Sequence, residues 1–151
     1  MTSPTIFATG YNTADSYNIA PSGTHDGPRS IERSIAIPAL TATDTIMGFF
    51  PFQKGMSVSY GSAIASDDLD SSTNVTLDVG YVYDDSTTYT DDVDAFIAAS
   101  TVAQAGGVAY FNAKAGATFV AEADGWVVLQ NNAATTTTGT VTFNGTISYQ
   151  V

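Results

Sequence analysis

The chain has no cysteine, one histidine and only four basic residues, and each shortage argues against a class of function. Without cysteine there is no disulfide framework, no thiol catalysis and no Cys-ligated zinc, and the redox compartment is left open. The four Lys and Arg stand against 15 acidic residues, a formal net charge of −11. Such a surface repels phosphate, which argues against nucleic acid as a partner. No apolar run approaches the ~18 residues that suggest a membrane span, so no membrane partner is expected. The opening stretch MTSPTIFATGYNTADSYN has neither a basic nor an apolar region, and no secretory signal is expected. Nothing matches G-x-S-x-G, Walker A, G-x-G-x-x-G or H-E-x-x-H. The sequons at Asn74 and Asn144 read as chance matches in a Thr-rich chain.

What is present supports a folded domain. A length of 151 residues fits one domain. A chain of that length buries roughly 70% of its unfolded surface without disulfides or metal. Hydrophobic residues make up 44% of the chain and charged residues only 13%, so a β-branched and aromatic core is expected beneath a neutral surface of Thr, Ser, Asn and Gly. All the acids except Glu32 and Glu122 are Asp.

Periodicity divides the chain in two. Residues 1–30 hold Pro4, Pro21 and Pro28 and scattered aromatics without a sustained period. They read as an N-terminal arm or loop-rich lead-in, with a short strand near residues 5–9. Residues 31–151 carry strand signals. Ile31, Arg33, Ile35 and Ile37 alternate with polar or small residues up to Pro38. Further strands are expected at 45–50, at 56–64 as one strand, and at 75–83, where Val75, Leu77, Val79, Tyr81 and Tyr83 share a face. Strands are also expected near 108–112, 117–121 and 126–130, with a loop tip at 131–138. The clearest closes the chain: Val141, Phe143, Gly145, Ile147, Tyr149 and Val151 alternate with Thr, Asn, Ser and Gln, as a half-buried antiparallel strand requires. Gly145 within it suggests a bulge or bend. Val93, Phe96 and Ile97 at i, i+3, i+4 predict one short helix over 91–99, capped by Thr90 or Asp91, with a second turn ending at Gly106. The expectation is a mainly all-β chain: an antiparallel β-sandwich, jelly-roll-like, with one short helix and an extended N-terminal arm.

Side chains that could carry chemistry are sparse. His25 lies near Ser22 and Asp26, but neighbours along a Gly/Pro segment rarely hold triad geometry, and an exposed loop histidine is the plainer reading. Asp67, Asp68 and Asp70, then Asp84 and Asp85, then Asp91, Asp92 and Asp94 form three acidic groups. None has the D-x-[DN]-x-[DN]-G spacing of a calcium loop, so they read as turn and helix caps. The spacing of Glu32 and Glu122 does not support a glycosidase pair. Trp126 between apolar neighbours reads as core or contact surface rather than a sugar platform. No enzyme activity, cofactor or metal is expected.

The ordered segments Ile35-Ala-Ile-Pro-Ala-Leu, Thr43-Asp, Asp68-Leu-Asp, Thr76-Leu-Asp-Val-Gly-Tyr, Asp94-Ala-Phe and Ala103-Gln-Ala-Gly-Gly resemble those of tailed-bacteriophage capsid decoration, or cement, proteins. The resemblance runs over roughly residues 33–151 and leaves the arm uncovered. It implies a structural protein made in the host cytoplasm and bound on the capsid exterior of the virion. There it would stabilise contacts between major capsid protein subunits, often as a homotrimer. On that reading Phe7, Tyr11 and Tyr17 of the arm are the expected capsid anchors, since aromatics carry much of interface energy. The alternative is a carbohydrate- or host-binding β-sandwich module or fibre component of a virion.

Overall fold

A computed structural model describes residues 4–8, 28–40, 44–70, 74–132 and 135–149. Its strands are β1 (Ile6–Phe7), β2 (Arg29–Ile37), β3 (Ile46–Phe52), β4 (Met56–Val58), β5 (Ala63–Ser66), β6 (Thr76–Tyr83), β7 (Asp92–Ser100), β8 (Gly107–Tyr110), β9 (Gly125–Asn132) and β10 (Gly139–Tyr149). One sheet has the order β1-β3-β9-β6-β7, and the other β2-β10-β5-β8 with β4 also on β10. With β4 and β5 taken as one interrupted strand, the chain crosses between sheets as a jelly roll does, and β1 adds a parallel edge to β3. The all-β sandwich is therefore the observed fold.

The inner faces meet in one aromatic-rich core. Phe143 of β10 lies 5.6 Å from Phe49, 5.2 Å from Phe50 and 6.1 Å from Phe111, ring centre to ring centre. Phe96 of β7 stacks on Phe111 at 4.8 Å and so ties one sheet to the other. β10 has the expected alternation: Val141, Phe143 and Ile147 are buried, and it pairs with β2 on one side and with β4 and β5 on the other. Pro51 sits within β3, where β1 no longer pairs, so its missing N–H leaves no ladder bond unmade.

Four expectations need correction. Residues 91–99 are not a helix but most of β7. In this strand the four residues 93–96 lie opposite the single Gly80 of β6. That bulge resets the alternation: Val93 joins an outer cluster with Val82 and Trp126, while Phe96 and Ile97 enter the core. Apolar residues three and four apart thus arise from a distorted strand. The helical pieces are two 3-10 turns at Val102–Gln104 and Lys114–Thr118, the first followed by Gly106 at φ 76°.

The second correction concerns residues 56–64, which form two strands rather than one. Residues 59–62 loop out opposite Gly145 and Thr146 of β10. The irregularity expected at Gly145 is therefore in its partner. A Cβ there would lie 2.1 Å from Ser62 Oγ, so glycine is required by close approach.

Thirdly, residues 117–121 form no strand; the second 3-10 turn runs through Thr118 and extended backbone follows. Finally, residues 131–138 are not simply a loop tip. Asn131 is buried at the end of β9, where its Oδ1 accepts the Thr45 N–H at 3.0 Å and its carbonyl accepts that of Asp44. Buried Thr136 bridges to Leu40 and donates to the Pro38 carbonyl at 3.0 Å.

Candidate functional site

Five of the eight acids in the three groups are spent on backbone geometry. Asp67 Oδ2 accepts the Thr140 N–H at 2.8 Å, and Asp68 Oδ1 that of Asp70 at 3.1 Å. Asp70 Oδ2 accepts the N–H groups of Asn74 and Val75. Asp85 closes the turn after β6 by accepting from Thr87 and Thr88, and these bonds hold its carboxyl below the usual range. Asp91 Oδ1 accepts the Tyr83 N–H at 2.8 Å, so it caps a strand connection rather than a helix. Two carboxyls are pushed up: Asp84 by burial and Asp124, and Asp92 by burial and Asp94. Among the described residues, no three His, Cys, Asp or Glu side chains are grouped to hold a metal. Glu32 lies on β2 of one sheet, facing Asn144, whereas Glu122 precedes β9 of the other.

Of the three expected anchors, Phe7 is placed and is half-buried. Its ring meets Trp126 edge-on at 5.0 Å, over the outer face of the β3-β9-β6 sheet. Trp126 is only 5% exposed and offers no open stacking platform. Tyr11 and Tyr17 lie outside the described residues, as do Ser22, His25 and Asp26.

The outer face of the other sheet is unlike the rest of this acidic chain. Its register aligns Ser34, Thr142, Ala65 and Val108 in one row and Glu32, Asn144, Ala63 and Tyr110 in the next. Glu32 is the only charge in those rows. Hydroxyls satisfy one another, Ser34 with Thr142 at 2.8 Å and Ser57 with Ser148 at 2.9 Å. Toward β8 the surface becomes apolar: Val108 is 58% and Tyr110 67% exposed, and Tyr60 stands exposed on the nearby turn. Val108 and Tyr110 border a shallow depression of about 320 Å³. Edge strands normally carry charge, proline or a bulge. β2 has Arg29, Glu32 and Arg33, and β7 has Asp92, Asp94 and its bulge, but β8 reads Gly-Val-Ala-Tyr. Sequence reasoning missed this surface, because Val108 and Tyr110 look like core residues until β8 is known to be an edge.

A second concavity of about 390 Å³ opens beside β6. Tyr81, Tyr83 and Tyr89 line it together with Phe119, Val120 and Glu122. Tyr81 stacks on Phe119 at 4.4 Å and meets Tyr83 at 5.2 Å, and Tyr89 lies 5.4 Å from Tyr83. The Tyr83 hydroxyl accepts the Glu122 N–H at 3.2 Å. Burial first, then Tyr83, Asp92, Glu122 and Asp91, push the Tyr81 phenol up to about 12. Residues 81–90 and 118–122 are far apart in sequence and meet only in the folded chain, through the Tyr83–Glu122 bond and the Tyr81–Phe119 stack, so no local motif announces the cleft.

No protein-family model and no curated protein sequence matches the chain. Solved structures do. A chain of the capsid of Ralstonia phage GP4 is similar at TM-score 0.67 and 23% identity, over 83% of this chain and 86% of that one. A chain of the cyanophage Pam1 capsid asymmetric unit is similar at TM-score 0.61 and 22% identity, over 94% of this chain and 99% of that one. At these identities the likeness is one of fold, and it runs nearly end to end in the second case.

Proposed function

We propose that this chain is a structural component of a bacteriophage virion, a decoration protein that binds the capsid exterior and stabilises contacts between major capsid protein subunits. The observation that carries the reading is the jelly roll shared along almost its whole length with a chain of a phage capsid asymmetric unit. The uncharged face of β10, β5 and β8 supports it, because the centres of protein interfaces are depleted of charge. A net charge of −11 suits a protein kept away from packaged DNA.

The mechanism is adhesive. Each copy spans neighbouring coat subunits and opposes their separation, and modest contacts add through avidity when copies are joined in an oligomer, for which a homotrimer is proposed. The chain is taken as an arm, residues 1–30, and a sandwich, residues 31–151. Tyr11 and Tyr17 reach the coat protein. Phe7, engaged with Trp126, anchors the arm to the sandwich and contributes to the same contact. The β8 face supplies the second contact.

Capsids lacking the protein, mixed with purified variants, test this. Tyr11→Ala with Tyr17→Ala spares Phe7, and Val108→Asp with Tyr110→Asp charges the β8 face. Both double variants are expected to fold and to lose occupancy. Undiminished occupancy by the first sinks the arm contact, and by the second the sheet contact. A wild-type protein that never decorates capsids sinks the function. The second reading, a carbohydrate- or host-binding module, draws on the aromatic cleft beside β6. Glycan binding without affinity for capsids would favour it.

A further inference from the structure

The cleft beside β6 joins aromatic walls to negative charge. None of the four Lys and Arg side chains of the protein lines it, so its negative charge is not answered by any of them. Tyr81 and Tyr89 are half-buried and present ring surface, and Phe119 backs Tyr81 at 4.4 Å. Glu122 stands exposed at the rim, with its backbone N–H fixed on the Tyr83 hydroxyl and its carboxylate left to solvent-facing contacts. Asp91 and Asp92 lie close enough for their charge to act on the Tyr81 phenol.

We propose that this cleft receives a cationic side chain, preferably an arginine, from a partner protein. A guanidinium is planar and weakly hydrated, so it can stack on a tyrosine ring while its N–H groups face a carboxylate. Glu122 supplies that carboxylate, and the rings of Tyr81 and Tyr89 supply the walls. The field of Glu122, Asp91 and Asp92 disfavours an anion, and a neutral sugar gains nothing from it. The proposal does not depend on the virion reading, since it specifies the chemistry of the contact and not the location of the partner.

The test is an amide-shift titration of the full chain with N-acetyl-L-arginine amide, its uncharged citrulline counterpart and a methyl glucoside. Arginine amide is expected to shift residues 81–83, 88–90 and 118–122 saturably, with an affinity that falls as salt is added. The citrulline compound should leave these residues unmoved. Glu122→Gln should weaken arginine binding about threefold, the size expected for one exposed ion pair. That variant keeps the backbone bond to Tyr83. Equal shifts with citrulline, a response to the glucoside alone, shifts elsewhere on the surface, or no saturable shift each overturn the proposal.

Discussion

Gly80→Ala probes the least expected element of this fold. β7 passes over Gly80 so closely that a Cβ there would lie 2.1 Å from the Asp92 carbonyl oxygen and 2.4 Å from the Val93 carbonyl carbon. Both are backbone atoms, so no side-chain rotation relieves the clash, and β7 must move by roughly 1 Å to restore ordinary van der Waals contact. Such a shift pulls on Phe96 and Ile97, which are fully buried. Overpacking of this kind costs about 1–3 kcal/mol, and a rigid backbone obstacle puts Gly80→Ala near the top, at about 3 kcal/mol. For a domain of this size that lowers Tm by about 6–12 °C. Gly61→Ala is the control: its added Cβ meets only Ser59 Oγ at 3.7 Å, and a change within ~0.5 kcal/mol is expected. Urea unfolding of the two variants decides the matter. Were residues 91–99 helical and clear of Gly80, the substitution would be neutral or slightly stabilising, because alanine suits a strand better than glycine. A Gly80→Ala midpoint equal to wild type refutes the bulged-strand account.

Three further outcomes follow from the same structure. Phe143→Ala removes the ring that meets Phe49, Phe50 and Phe111, and should cost about 3–5 kcal/mol in urea unfolding. Asp84→Asn should raise Tm at neutral pH. The carboxyl of Asp84 is pushed up by burial and Asp124, so the fold is penalised for ionising it. That penalty is present above the raised pKa and gone below the ordinary 3.8, so the advantage of the variant must vanish in acid. At the other extreme, Tyr81 ionises at about 12 in the fold against 10.0 when unfolded. The unfolded state loses its proton first, so stability present below pH 10 declines as pH rises toward 12, and Tyr81→Phe should flatten that decline in the urea midpoint.

Much of the architecture is legible in the sequence wherever one face of a strand is wet. β10 and β2 alternate cleanly because one side packs on Phe and Ile while the other meets solvent. The β3-β9-β6 sheet is harder to read, since both of its faces are covered. Leu77, Val79 and Tyr83 face the core, and Val82 lies with Trp126, Val128 and Phe7 on the far side. Bulges defeat periodicity outright, as at Val93, Phe96 and Ile97, where one strand serves two apolar clusters. Asp67, Asp68, Asp70, Asp85 and Asp91 accept backbone N–H groups, as turn residues do, although Asp91 caps β6 and not a helix. The outer face of β8 and the cleft beside β6 are not legible in the sequence. Val108 and Tyr110 are exposed because they lie on the outer face of β8, and Glu122 shares a cleft with Tyr81 that only the folded sheet assembles.

The location of the protein in a particle separates a decoration protein from every other virion component. Cryo-electron microscopy of purified virions of the phage that encodes it should place its sandwich outside the coat shell, in contact with more than one coat subunit, as repeated density of one fold. Density confined to the tail, to fibres or to the shell interior, or absence from the particle, would contradict the account.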